Sequence, residues 1–193
     1  MARATHLVLA AFAAALLALG FGAVNARAAG GNYVCDGGTV AQHAQVRKAL
    51  NASAFPWGVV AEQVTIHISS GHASEATPGE IWLDASLLDS GKFAWGVVQH
   101  EYAHQVDFSL FNDGIRSQLL AKVGGSSWWS LPELGHAKLG AERFASTLAW
   151  AYWPSPANSM KPQSKRDESA AMAPAAFRQL VAQVVAPVPL AVK

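Results

Sequence analysis

A single cysteine, Cys35, stands among 193 residues, which excludes an intramolecular disulfide framework and leaves packing to hold the fold. Charge of one sign is missing too. Fourteen Lys and Arg balance thirteen Asp and Glu, for a formal net charge of +1. That balance gives no electrostatic footprint for a nucleic-acid partner. No internal repeat is visible, so a solenoid is excluded. The longest apolar run, Leu7 to Leu19, is short for a membrane span.

That run has a different use. Arg3 and His6 precede it, and Gly20 to Val24 then Ala26-Arg27-Ala28 follow. A basic start, an apolar stretch and a small-x-small ending read as a signal peptide over residues 1–28, cut after Ala28 or Ala29. The expectation is a secreted protein with no membrane attachment after cleavage. Cys35 lacks a lipoprotein context and reads as a small, half-buried thiol. Asn51-Ala52-Ser53 fits a glycosylation sequon.

The mature chain is long enough for one core. Thr39 to Asn51 reads as a helix, Val64 to Ser69 as a strictly alternating strand with His67 an ordinary histidine on its polar face, and Glu80 to Asp84 as a second strand. Ser70 to Gly79 between them reads as a polar loop. Lys92 to Phe111 holds no proline and is apolar nearly all round, which predicts a central buried helix. Asn112-Asp113-Gly114 is a turn, and Ile115 to Val123 a modest helix. Gly124 to Trp129 is a loop, with Trp128 and Trp129 as candidates for a subsite wall. Ser130 and Glu133 have capping-box spacing, and the helix beyond Gly135 or Gly140 runs to Trp153. Polar composition makes 154–173 a linker, and 174–193 a final helix and tail. Two strands and then a long apolar helix suggest an α+β domain over 29–153, a short sheet laid on that helix.

Within the central helix stands His100-Glu101-Tyr102-Ala103-His104, an H-E-x-x-H. Residues four apart on a helix lie roughly 40° apart around the axis and about 6 Å along it, so both imidazoles can reach one ion. Glu101 is turned to the neighbouring stripe, where it can meet a water on that ion. It is the only formal charge between Lys92 and Asp107, and a lone buried carboxylate needs a partner.

Two histidines hold zinc poorly, so a third donor is required. Asp107, three residues past His104, suits a hydrogen bond to an imidazole better than ligation. His136 lies free in a loop or at a helix start. The metzincin pattern needs Gly and then His or Asp where this chain has Asp107 and Leu110. Glu142 lies in a second apolar helix with Ala145, Ser146, Ala149 and Trp153 on its face, where a carboxylate again asks for a partner. An arginine, Arg143 or Arg116, is its alternative companion.

On these residues the chain resembles the zincin metallopeptidases, in the gluzincin pattern of H-E-x-x-H on one helix and a glutamate on a following one. The resemblance runs from about Val64 to Trp153. It implies a zincin-like fold with Zn²⁺ held by His100, His104 and Glu142, and Glu101 as general base in peptide hydrolysis. Ile81-Trp82-Leu83 would be the sheet edge that aligns an extended peptide. In thermolysin-like members an aspartate four residues past the ligand glutamate orients a zinc histidine. Ser146 stands there instead, and Asp107 is the candidate to take over that role. The interval from His104 to Glu142 is longer than in those enzymes. Tyr152, Arg143, His136 and His72 are the candidates for oxyanion donor. The expected protein is a secreted monomeric peptidase acting on peptides or proteins. Its rivals are a secreted zinc-binding module with a vestigial site, and a metal-free helical interaction protein.

Overall fold

The computed structural model describes residues 30–129, 131 and 133–185. The expected signal peptide, Ser130 of the expected capping box and the tail from 186 lie outside the described residues. The chain is α+β, with a small mixed sheet against helices. Strand β1 (Tyr33–Gly37) leads into helix α1 (Val40–Ala52), whose start is closed by a capping box. Thr39 Oγ1 accepts from Gln42 N at 3.2 Å, and Gln42 Oε1 accepts from Thr39 N at 2.9 Å. Strands β2 (Val64–Ser69), β3 (Glu75–Thr77) and β4 (Glu80–Asp84) complete a sheet of order β1-β2-β4-β3. β1, β2 and β4 run parallel, and β3 runs antiparallel to β4.

Two strands depart from the sequence reading. β1 was not foreseen, and the 70–79 loop contains β3. Pro78-Gly79 makes the turn out of β3, with Gly79 at φ +82°, the backbone sign that the third position of a type II turn requires. The turn folds β3 back on β4, so β4 is interior and β3 is the edge. Ile81-Trp82-Leu83 is therefore not the sheet edge. Val64, Ile66, Ile68, Ile81 and Leu83 form the buried face of the sheet. On the other face His67 stacks on Trp82 and bonds Asp36 at 3.0 Å, an ordinary sheet histidine as expected.

Helix α2 (Ala85–Asp89) is capped by Asp84 and leads to α3 (Lys92–Leu110), α4 (Asp113–Val123), α5 (Gly140–Tyr152) and α6 (Pro174–Val185). α4 starts two residues earlier than expected because Asn112 Oδ1 accepts from Ile115 N. α3 is buried from Val98 to Asp107 without a break, whereas Phe93 at its start is exposed. Each fully buried apolar side chain in it contributes about 1.5–3 kcal/mol. Tyr102 adds a polar anchor: its hydroxyl accepts from Asn32 N at 3.0 Å, tying the chain before β1 to the helix. No described helix is long and apolar enough to cross a membrane.

The expected linker, 154–173, is packed instead. Asn158 is buried and its Nδ2 donates to Ala149 O and Trp153 O, while the turn Glu168–Ala170 lies on α5. Hydrogen bonds to the end of α5, rather than apolar burial, hold this polar segment. Gly96 of α3 makes room for it: a Cβ there would collide with the Asn158 carboxamide oxygen and with Ser159, backbone nitrogen included. Gly96→Ala gains about 1 kcal/mol of helix propensity but forces overpacking worth about 1–3 kcal/mol. The expected net result is a lower urea midpoint with an unchanged m-value.

Candidate metal centre

α3 presents His100, Glu101 and His104 at the floor of a cleft of about 360 Å³. α5 packs along α3 and brings Glu142 across from its first turn, where the helix dipole favours a carboxylate. The three donor atoms form a nearly equilateral triangle. Glu142 Oε2 lies 3.1 Å from His100 Nε2 and 3.4 Å from His104 Nε2, and the two imidazole nitrogens are 3.2 Å apart. Donors about 2.0–2.1 Å from a tetrahedral zinc are separated by roughly 3.3–3.4 Å. The triangle therefore has the dimensions of one face of a zinc site. Hydrogen bonds alone serve it badly, because a carboxylate brings no proton and each Nε2 points along a single direction in its ring plane. The donor set fits the metal: two neutral nitrogens, one carboxylate, and a side open to the cleft.

Charge in the cluster follows from burial and pairing. Burial pushes the Glu142 carboxyl up, but hydrogen bonds from His100 and His104 and their charge overcome it and hold it well below the usual range. Burial pushes His100 down, and its hydrogen bond to Glu142 with the nearby carboxylates more than reverses that. Glu101 goes the other way. Burial raises it, and His100 and His104 offset only part of the rise. Its carboxylate lines the cleft and has no hydrogen-bond partner among the described residues. A carboxylate desolvated in this way is a stronger base than one in water.

Ser146, at the position of the orienting aspartate in the resemblance, is 2% exposed, and its hydroxyl lies 3.0 Å from His100 Nδ1. Asp107 does not take over that role. Its Oδ1 accepts from Arg116 Nε at 2.8 Å and its Oδ2 from Trp128 Nε1 at 2.7 Å. The sequence placed Asp107 near the histidine stripe. What captures it is a guanidinium from α4 and an indole from the following loop. Neither arginine pairs with Glu142, since Arg143 Nε donates to Val123 O.

His136 sits on a short 3-10 turn at the cleft mouth, two-thirds exposed, with Nε2 3.3 Å from Glu142 Oε2 and Nδ1 3.0 Å from Glu168 Oε1. Of the four oxyanion candidates it is the one that lines the cleft. Tyr152 packs edge-on against Phe55, and Arg143 is bound to backbone carbonyls. The cleft walls are β3 and, from the loop after α4, both tryptophans. Trp129 stacks on Phe108 at 5.5 Å, Phe108 lies 6.2 Å from His104, and the Arg116 guanidinium covers Trp129 at 5.0 Å.

Sequence reasoning missed Glu168, which fell in the supposed linker. Its Oε2 accepts from the Ser146 hydroxyl at 3.0 Å. No family model, curated protein or solved structure matches the chain. Its function is therefore read from its own geometry.

Proposed function

We propose that this chain is a secreted zinc-dependent peptidase of the zincin type, with zinc held by His100, His104 and Glu142 and with Glu101 as general base. The observation that carries the reading is the donor triangle of 3.1, 3.2 and 3.4 Å, with the Glu101 carboxylate beside it and unpaired among the described residues. Zinc in that triangle would act as a Lewis acid on a carbonyl and make water acidic near neutral pH. Glu101 takes the proton of the attacking water and passes it to the leaving amine. His136, at the mouth and held toward its imidazolium form by Glu168, donates from Nε2 to the oxygen that becomes negative while Nδ1 donates to Glu168. The free edge of β3 offers backbone groups to an extended peptide, and the Phe108–Trp129 shelf takes a side chain beside the scissile bond. Export of the mature chain after cleavage near Ala28 belongs to the same reading, and the enzyme acts as a monomer.

Elemental analysis of protein purified without added metal, paired with digestion of a broad peptide library, tests it. The expected outcome is one zinc per chain and cleavage that a chelator stops and zinc restores. Zinc without cleavage of any peptide would favour the vestigial binding module. Folded protein that takes up no zinc would overturn the reading.

A further inference from the structure

Glu168 is joined by hydrogen bonds to two of the imidazoles around the cleft, and neither its position nor its neighbours in sequence announce this. Its Oε2 lies 3.0 Å from Ser146 Oγ, which lies 3.0 Å from His100 Nδ1. Its Oε1 lies 3.0 Å from His136 Nδ1. We propose that Glu168 is a positioning residue for the metal centre, setting the tautomer of His100 through the Ser146 hydroxyl and the ring orientation of His136 directly. The proposal rests on the zinc reading of the triangle.

The direction of the chain follows from counting protons. An ionised carboxylate only accepts, so the single hydroxyl proton of Ser146 goes to Glu168. The Sδ of Met160, at 3.7 Å, is the weaker competitor for it. The hydroxyl oxygen is then left to accept, and His100 Nδ1 must carry a proton to serve it. An imidazole that holds a metal ion is neutral and has one N–H, so in that state His100 Nε2 is bare and presents its lone pair to the triangle; without the ion Nε2 can carry a proton to Glu142. Without Glu168 the hydroxyl is free to donate to Nδ1. That would put the imidazole proton on Nε2, pointing at the metal position. Carboxylates behind metal-binding histidines act in this way. Here a hydroxyl is interposed, and the charge comes from the segment that follows Pro156.

Glu168 is well placed to be tested, because its backbone is held independently. Thr147 Oγ1 donates to Glu168 O at 3.2 Å, and the turn Glu168–Ala170 is closed by its own backbone bonds. Glu168→Gln keeps the shape and removes the charge. Its amide can also donate to Ser146, which reverses the chain.

The test measures zinc dissociation constants by chelator competition for the parent, Glu168→Gln, Ser146→Ala and the double variant. Thermal melting of each metal-free protein is measured in parallel, with peptide cleavage as a second readout. Glu168→Gln is expected to weaken zinc about 10–100-fold with the metal-free melting temperature little changed. In the Ser146→Ala background the same change should cost less than about threefold, because the path to His100 is already broken. Equal zinc affinity in Glu168→Gln and a zinc-binding parent overturns the proposal and leaves the peptidase reading standing. Two zinc per parent chain, one lost in Glu168→Gln, overturns it in favour of Glu168 as a ligand. A parent that binds no zinc overturns both.

Discussion

Glu101→Gln is expected to keep one zinc per chain while kcat on peptides cut by the parent falls about 10²–10⁴-fold, the usual contribution of a positioned base. The two halves of that result come from separate features of the cleft. Glu101 is not a corner of the donor triangle, so the three proposed ligands remain when it is neutralised. The residue is 6% exposed, and its carboxyl is raised chiefly by burial. Gln is the same size, so the cleft keeps its volume and KM is expected to stay within about twofold. The variant should also melt no lower than the parent. A lone buried carboxylate is costly to desolvate, and a neutral amide removes that cost. Zinc titration, steady-state kinetics and a melting curve check the three parts. Parent-like cleavage by Glu101→Gln would move the base elsewhere, with His136 as the next group at the cleft mouth.

Much of the centre could be read from the sequence because its signals are anomalies of polarity. Glu101 and Glu142 each interrupt a long apolar helix, and a carboxylate there demands a compensating group. The spacing of His100 and His104 gives that group its geometry. The helices α3 and α5 were legible for the same reason, being long and strongly patterned. β1 and β3 were not. β1 has no fully buried residue and is bounded by glycines, and β3 is three residues long, so neither carries a burial period. Their existence depends on β2 and β4 supplying ladder partners from elsewhere in the chain.

The 154–173 segment misled for a different physical reason. Low apolar content argues for disorder only when hydrophobic burial is the sole means of ordering a chain. Here Asn158 and Glu168 replace it with hydrogen bonds to α5 and to its side chains. Gln105 does similar work on the other side of the cleft. Its Nε2 donates to Thr77 O and Glu80 O, and its Oε1 accepts from Gly79 N, fastening the β3–β4 turn to α3 one residue past His104. The edge of the cleft and its floor are thereby one unit. Composition could not announce either connection, since each depends on which backbone groups the tertiary fold leaves free.

Glu142→Ala and Asp107→Asn should separate metal binding from stability in opposite senses. Removing Glu142 takes away the only carboxylate of the triangle, and zinc affinity is expected to fall by more than the roughly 10–100-fold that a supporting residue costs. The metal-free chain should lose less stability than in Asp107→Asn: the pairing with His100 and His104 goes, but alanine removes the cost of desolvating the carboxylate and His100 keeps its bond to Ser146. Asp107→Asn leaves the triangle intact and is expected to bind zinc within about threefold of the parent, inside what even a supporting contact costs. Its damage falls on packing. Asp107 is fully buried and accepts from two donors, Arg116 Nε and Trp128 Nε1. An asparagine can accept from one of them and turns its own N–H₂ toward the other, leaving a buried donor unpaired and Arg116 with only the exposed Asp113, at 3.4 Å, as counter-charge. The expected loss is about 2–4 kcal/mol in urea unfolding. A folded Asp107→Asn protein that loses zinc tenfold or more would return Asp107 to the role of orienting an imidazole. A Glu142→Ala protein with parent-like zinc affinity would remove the third corner on which the peptidase reading depends.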